Sequence, residues 1–122
     1  MILEKIKLKN FRNFEEREFS FAGGKNLIVG PNTAGKTNLL EAIYLFSSGQ
    51  SFRAKKIEEM VHFGQEVAHL EARVGGEEKR QLQIVLTNGQ VGGQRTVLSR
   101  WLVNGVAKTK GNFLGNFLAV IF

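Results

Sequence analysis

The segment LIVGPNTAGKTNLLEAIYLF, residues 27–46, decides the fold of this chain. It contains Gly30, Gly35, Lys36 and Thr37 at the spacing G-x-x-x-x-G-K-[S/T], between a short apolar run and a helix-like pattern. A glycine-rich loop in the order strand, loop, helix is typical of a phosphate-binding P-loop. The glycines let backbone N–H groups approach phosphate oxygens, and the helix N-terminus adds the positive end of its dipole. The segment therefore predicts a nucleotide-phosphate site.

Two side chains of this motif have expected chemical roles. Lys36 is expected to reach the β- and γ-phosphates of the nucleotide, because an ammonium group neutralises phosphate charge. The Thr37 hydroxyl is expected to coordinate a magnesium ion that bridges the same phosphates. The predicted cofactors are accordingly ATP and Mg²⁺.

The amino-acid composition narrows the classes of protein to which this chain can belong. At 122 residues, with 43% hydrophobic and 23% charged residues, the chain is typical of one soluble globular domain. No run approaches the roughly 18 apolar residues of a membrane span, so we expect a cytoplasmic protein with no membrane partner. Cysteine is absent, which excludes disulfides and thiolate metal sites. The net charge of +6 favours a polyanionic partner.

The chain contains no aspartate, and all eleven acidic residues are glutamate. P-loop NTPases usually hold the magnesium shell with an Asp on a later apolar strand. Residues 118–122, LAVIF, have the pattern of a buried strand, and no Asp follows them. We therefore expect an amino-terminal fragment of a longer ATPase, which would hydrolyse ATP negligibly by itself.

Hydrophobic periodicity in the first half predicts strands around a helix. Residues 2–9 alternate as a half-buried strand with a lysine-rich exposed face, and residues 10–16 are expected to form a loop. In the second strand, Arg17, Phe19 and Phe21 would share a face. A turn at residues 22–25 then leads to a central strand at residues 27–29.

The segment after the P-loop predicts a helix from Gly35 to about residues 47–49. Its expected apolar stripe consists of Leu39, Leu40, Ile43 and Phe46. Glu41 and Tyr44 lie off the centre of that stripe and are expected on the helix surface. A polar loop and a short helix ending at Gly64 follow, and the inward residues of that helix are expected to be Ile57, Met60 and Val61.

The second half predicts an antiparallel meander. Strands are expected at residues 67–74, 79–87, 94–103 and 106–109, with turns at Gly75-Gly76, Asn88-Gly89 and Asn104-Gly105. Residues 111–117 would lead through a helical turn to the strand at 118–122. Trp101 is expected to be a packing residue, and His62 and His69 to be structural or surface residues, because no Asp or Cys accompanies them as metal ligands.

Four segments together carry a resemblance to a known family. The chain resembles the RecF family of DNA repair proteins through KNFRNFEE at 9–16, GPNTAGKTNLLEAIY at 30–44, SGQSFRAKK at 48–56 and VNGV at 103–106. The similarity runs along the whole chain in the same order. The segment GKTNLLEAIY is also shared with SMC-like and ABC-type ATPases, whereas the FRN and SFR elements are typical of RecF.

The resemblance implies an α/β fold, the first lobe of an ABC-type ATPase head, with a mixed sheet, the P-loop helix and an antiparallel subdomain. The implied division is a P-loop unit at 1–64, a meander at 65–110 and a return to the core sheet at 111–122. Such heads bind ATP and Mg²⁺ and dimerise around two nucleotides. In RecF proteins this is coupled to binding of DNA at gaps, to RecR- and RecO-type partners, and to repair, replication and the SOS response.

The resemblance also implies site residues. The nucleotide-binding set is Gly30, Pro31, Asn32, Thr33, Ala34, Gly35, Lys36, Thr37 and Asn38, with Arg12 and Asn13 approaching from the first-strand loop. Arg53 is implied beside the nucleotide and the DNA-facing surface, with Lys55 and Lys56 beside it. Pro31 and Ala34 depart from the residues common in the family, but neither removes a phosphate-facing residue type.

Two alternatives remain open at this point. The same motifs would suit the head of another SMC-like or overcoming-lysogenization-type ATPase. They would also suit a module in which nucleotide is a structural ligand and no hydrolysis occurs. For the leading RecF interpretation, weak DNA-stimulated ATPase activity is expected of the full-length dimer, with the remaining catalytic groups outside this chain.

Overall fold

A six-stranded antiparallel sheet forms most of the structure, a computed structural model that describes residues 2–21, 34–76 and 78–117. The sheet strands are β1 (Ile2–Phe11), β2 (Phe14–Ser20), β3 (Val67–Gly75), β4 (Arg80–Thr87), β7 (Ser99–Val103) and β8 (Val106–Lys108). A separate two-stranded ribbon consists of β5 (Gln90–Val91) and β6 (Gln94–Arg95). The helices are α1 (Ala34–Ser48), a 3₁₀ helix (Ile57–Met60) and the short α2 (Lys110–Phe113).

The strand order is β2-β1-β3-β4-β7-β8. The central pairing of β1 with β3 joins the segment before α1 to the segment after it, with Leu8 opposite Leu70. The sheet is therefore continuous across residue 64, where the sequence-based division into a P-loop unit and a meander was drawn. The strands expected at 27–29 and 118–122, which would make the sheet mixed, and the turn at 22–25 lie outside the described residues.

One face of this sheet is buried and the other meets water, because side chains alternate along each strand. Leu8, Leu70, Ile84 and Trp101 lie opposite one another in successive strands and are all buried. The packing role predicted for Trp101 is thus confirmed. Phe113 of α2 extends the core by contacting Trp101, with a ring-centroid separation of 5.2 Å.

Helix α1 buries part of the predicted stripe, since Leu39 and Phe46 are buried as expected. Ala42 and Leu45 are fully buried, whereas Leu40 and Ile43 of the predicted stripe are only half-buried. The prediction assumed that only the sheet covers the helix. The loop after α1 and the β1–β2 turn cover it as well, so the buried face extends around to Asn38 and Glu41.

The prediction of a single strand at residues 94–103 is wrong, because the structure has two strands there, β6 and β7. Gly92 and Gly93 both have positive φ and turn the chain between β5 and β6, where sequence analysis expected no turn. The Thr87 backbone N–H and hydroxyl then bind the carbonyls of Leu98 and Val97, which holds the intervening residues against the end of β4. By contrast, the turn at Asn104-Gly105 is confirmed, with φ of 51° and 79°. These values are typical of a type I′ hairpin.

Residues 10–16 are not the loop that the sequence predicted. β1 continues to Phe11 and β2 starts at Phe14, so only Arg12 and Asn13 form the turn. Arg12, in this turn, adopts a positive φ of 53°, which lets the chain reverse within two residues. Asn10, within β1, also has a positive φ, of 55°. The strand that follows keeps Arg17 over the rings of Phe14 and Phe19, at 5.8 and 5.2 Å.

Candidate nucleotide site

The first turns of α1 carry the described part of the P-loop motif. Lys36 and Thr37 are half-buried, and Asn38 is buried. The loop residues Gly30–Thr33 lie outside the described residues. The helix begins at Ala34, so Lys36 and Thr37 lie in its first turn, where the free backbone N–H groups and the positive end of the helix dipole are.

Glu41 is the centre of a charged cluster beside these residues. Its side chain is 0% exposed and accepts two hydrogen bonds of 2.7 Å from Nε and Nη2 of Arg12, one to each carboxylate oxygen. Arg53 donates to both oxygens as well, at 3.2 Å. The hydroxyl of Ser51 donates a fifth hydrogen bond, of 2.5 Å. One buried carboxylate therefore holds two guanidinium groups.

This arrangement corrects the prediction that Glu41 lies on the helix surface. A buried carboxylate needs paired cations and hydrogen bonds, and here both arginines come from segments that fold over the helix. Tyr44 is half-buried and contacts the edge of Phe52, with centroids 5.7 Å apart, so it is not fully on the surface either.

Asn38 joins the cluster to the β1–β2 turn. Its amide nitrogen donates to the side-chain oxygen of Asn13 at 2.5 Å, and its own oxygen accepts from Nη2 of Arg53. Of the residues implied by the RecF resemblance, Arg12, Asn13, Asn38 and Arg53 are thus brought together on one side of α1. The sequence predicted these four separately, but gave no indication that Glu41 connects them.

The backbone of Arg12 is fixed independently of its side chain. Its N–H donates to the carbonyl of Met60 at 2.8 Å, and its carbonyl lies 2.5 Å from Nδ1 of His62. The N–H of His62 in turn donates to the carbonyl of Asn10 at 2.7 Å. These three contacts stabilise the left-handed conformation of Arg12, which costs about 1 kcal/mol for a residue with a Cβ. The structural role predicted for His62 is confirmed, while His69 is exposed on β3.

Arg53 is positioned by a serine-based turn. The Ser51 hydroxyl oxygen accepts hydrogen bonds from the backbone N–H groups of Arg53 and Ala54, at 3.0 and 2.8 Å. A Ser side chain that bonds the backbone two and three residues on is a common local turn. Because the same hydroxyl donates to Glu41, the carboxylate fixes both the backbone and the guanidinium of Arg53.

Two opposing effects act on the pKa of Glu41. Burial would raise this pKa, because it disfavours the charged form. Hydrogen bonds from Arg12, Arg53 and Ser51 outweigh burial and hold the pKa below its ordinary value. Glu41 is therefore ionised at neutral pH, and the cluster of one carboxylate and two guanidiniums carries a net positive charge.

Lys55 and Lys56 stand apart from this cluster. Both are exposed, on the segment between Arg53 and the 3₁₀ helix, and the N–H of Lys55 donates to the carboxylate of Glu59 at 3.1 Å. They border a cavity of about 200 Å³ beneath the end of α1, which Trp101 and Lys110 also line. Their position on the surface leaves them accessible to a large partner. Within the described ranges, no helix is both long and apolar enough to span a membrane.

Comparison with known proteins identifies the class to which this fold and site belong. The sequence profile of the RecF/RecN/SMC N terminal domain family matches residues 2–114. The chain belongs to this family. An SMC head domain from Thermotoga maritima has the same fold, with a TM-score of 0.69 over 92% of this chain and 40% of that one, at 22% identity.

Within the family, the resemblance to RecF is confirmed. The DNA replication and repair protein RecF of Caldanaerobacter subterraneus subsp. tengcongensis is 40% identical over 123 residues, covering all of this chain and 32% of the relative. That of Lactobacillus gasseri is 35% identical over 127 residues and is covered to 31%. A structure of the recombination mediator protein RecF-ATPrS in the RecFOR pathway superposes with a TM-score of 0.82 at 38% identity, over 98% of this chain and 31% of that one. The chain spans about a third of the length of these relatives.

Proposed function

We propose that this chain binds ATP with Mg²⁺ at the N-terminus of α1. The observation that carries the proposal is the clustering of Arg12, Asn13, Asn38 and Arg53 beside the turn that bears Lys36 and Thr37. The resemblance assigned Arg12, Asn13 and Asn38 to the nucleotide and implied Arg53 beside the nucleotide and the DNA-facing surface. These side chains come from three separate segments. A RecF structure with ATP, 36% identical over 98% of this chain, supports the same ligand.

The donor set fits a nucleoside triphosphate. In the proposed complex, Lys36 and the helix N-terminus neutralise phosphate charge, and Thr37 holds the metal ion through its hydroxyl. Bound Mg²⁺ would supply charge neutralisation between neighbouring phosphates. A guanidinium has five N–H donors, so an ion pair that uses one edge leaves the other edge for phosphate oxygens. The residues Gly30, Pro31, Asn32, Thr33, Ala34 and Gly35 complete the proposed cradle.

The proposed biological role is that of RecF, in DNA repair and replication. This rests on relatives of that name that are 35–40% identical along the whole chain, whereas the SMC head at 22% identity supports the fold alone. ATP binding would drive homodimerisation around two nucleotides, coupled to DNA gap binding and to RecO- and RecR-type partners in the cytoplasm. Weak DNA-stimulated ATP hydrolysis is proposed for that dimer.

The substitution Lys36→Ala, made in the full-length protein, tests the proposal that ATP binds at the N-terminus of α1. We expect at least tenfold weaker binding of a fluorescent ATP analogue, because a charge-assisted contact to phosphate is lost. Lys9→Ala, which removes an exposed lysine from the outer sheet face, is the matched control and should bind as the wild type does. Equal binding by wild type and Lys36→Ala would refute the P-loop assignment. Unchanged DNA-stimulated hydrolysis in Lys36→Ala would refute the enzymatic role.

A further inference from the structure

We propose that Glu41 is a positioning residue of the nucleotide site, which aims Arg12 and Arg53 at the bound phosphates. The proposal rests on the proposed ATP function and adds a residue that the P-loop motif does not include. It starts from the helix itself. Thr37 and Glu41 are four residues apart on α1, so they lie on the same helix face about 6 Å apart along the axis.

The direction of the Glu41 side chain strengthens this argument. Side chains on an α-helix tilt toward its N-terminus and cover the preceding turn. The preceding turn here carries Thr37 and Asn38, and Asn38 binds Arg53 directly. The carboxylate of Glu41 therefore holds both guanidiniums on the side of α1 where phosphate and metal are expected, rather than toward the C-terminal end of the helix.

The geometry of the ion pairs specifies orientation as well as charge. Arg12 meets the carboxylate through Nε and Nη2, a bidentate contact that fixes the plane of the guanidinium. The side chains of Arg12 and Arg53 are 20% and 36% exposed, so each reaches from the buried carboxylate to the surface. Without Glu41, both groups would carry the same charge but would be free to turn toward water.

Glu41 also offsets the repulsion between the two arginines. Two guanidiniums close together disfavour each other, and a carboxylate between them removes that cost. The remaining net charge of the cluster is positive, which favours a phosphate ligand. A purely structural carboxylate would need no particular relation to Thr37, whereas Glu41 follows Thr37 by about one helical turn on the same face of α1.

The experiment is a thermodynamic cycle on ATP-analogue affinity in the intact protein. Glu41→Gln keeps the size of the side chain and removes its charge, and we expect about tenfold weaker binding, since hydrogen bonds to charged groups are the stronger ones. In a variant that already carries Arg12→Ala and Arg53→Ala, the same Glu41→Gln change is expected to alter affinity less than twofold, because Glu41 acts through the arginines. Glu16→Gln on the exposed face of β2 is the matched control and should leave affinity unchanged.

Each outcome decides between positioning and a structural role. If Glu41→Gln weakens binding equally with and without the arginines, or not at all, the positioning role is refuted. If Glu41→Gln does not fold, Glu41→Asp replaces it in the same cycle, with a smaller loss of the same non-additive kind expected. If the wild type binds no ATP analogue, the proposed function fails and not merely the role of Glu41, so the two failures are distinguishable.

Discussion

At the scale of single residues, the buried carboxylate of Glu41 is expected to dominate stability. Glu41→Ala would remove the shared acceptor of Arg12, Arg53 and Ser51, and losing one partner of such hydrogen bonds typically costs about 1–3 kcal/mol. We expect a loss of this order in the free energy of unfolding, measured by urea denaturation. Glu16→Ala, at an exposed position, should change it by less than about 0.5 kcal/mol. A Glu41→Ala variant as stable as that control would contradict the structure of the cluster.

The lowered pKa of Glu41 predicts a dependence of stability on pH. Because the folded protein binds this proton more weakly than the unfolded chain does, the contribution of Glu41 is complete above the ordinary carboxyl pKa of 4.5. It is lost as the pH falls below that value and through the lower pKa of the folded state. Urea midpoints from pH 7 to pH 3 should therefore fall more steeply for the wild type than for Glu41→Gln.

A suitable control for this titration is Glu18, whose pKa is also lowered, mainly by a hydrogen bond from Lys5. That pair is exposed on the sheet, where solvent screens it. Glu18→Gln should therefore leave the slope of stability against pH close to that of the wild type. Parallel curves for the wild type and Glu41→Gln would contradict the pKa assignment.

At the residue level, the sequence alone was enough to recognise the P-loop motif but not the role of Glu41 beside it. Lys36 and Thr37 could be recognised as P-loop residues because the whole motif lies within a few consecutive residues of the sequence. Glu41 pairs with Arg12 and Arg53, which lie 29 and 12 positions away, and no local pattern encodes such a contact.

At the scale of elements, the β7–β8 hairpin offers a test of its turn. Gly105 has a φ of 79°, and no atom lies within 4 Å of the position a Cβ would take, so Gly105→Ala adds strain without a clash. We expect a loss of about 1–2 kcal/mol in the free energy of unfolding. Gly111→Ala in α2 is the matched control, since that site is equally open but has no positive φ, and it should be neutral or slightly stabilising. Equal effects of both substitutions would contradict the type I′ turn.

The positions of strands and turns could be predicted where residues close in sequence determine them. The alternation in β3 and β4 and the Asn-Gly pair at 104–105 identified those strands and that turn. The burial of Asn38 and Glu41 on α1 was not predictable, because loops whose polar residues carry no periodic signal cover that side of the helix. The β5–β6 ribbon was missed because its exposed strands are only two residues long.

At the scale of the whole molecule, a prediction concerns DNA. Lys55 and Lys56 are exposed on the segment after α1, apart from the charged cluster, and we expect them to contact the DNA backbone. Replacing both with alanine should weaken DNA binding and reduce the slope of log affinity against log salt by about 2, measured by fluorescence anisotropy. Lys7→Ala with Lys9→Ala, on the exposed sheet face, is the charge-matched control. If only the control pair reduces the slope, DNA lies against the sheet and not against the loop after α1.

The global fold class followed from the motif order and the RecF resemblance, but its central pairing did not. β1 and β3 are adjacent in the sheet although α1 lies between them in sequence. Periodicity reports which face of a strand is buried and says nothing of which strand lies beside it. The sequence-based division into units at 1–64, 65–110 and 111–122 stays a prediction.

The pairing of Leu8 with Leu70 also has a consequence for the order of assembly. These partners lie about sixty residues apart in sequence, and closing so long a loop is slow compared with forming a local helix. Arg12 and Glu41 are synthesised before β3, the strand that pairs with β1. The proposed nucleotide site is therefore expected to reach its final form only after β3 has joined the sheet beside β1.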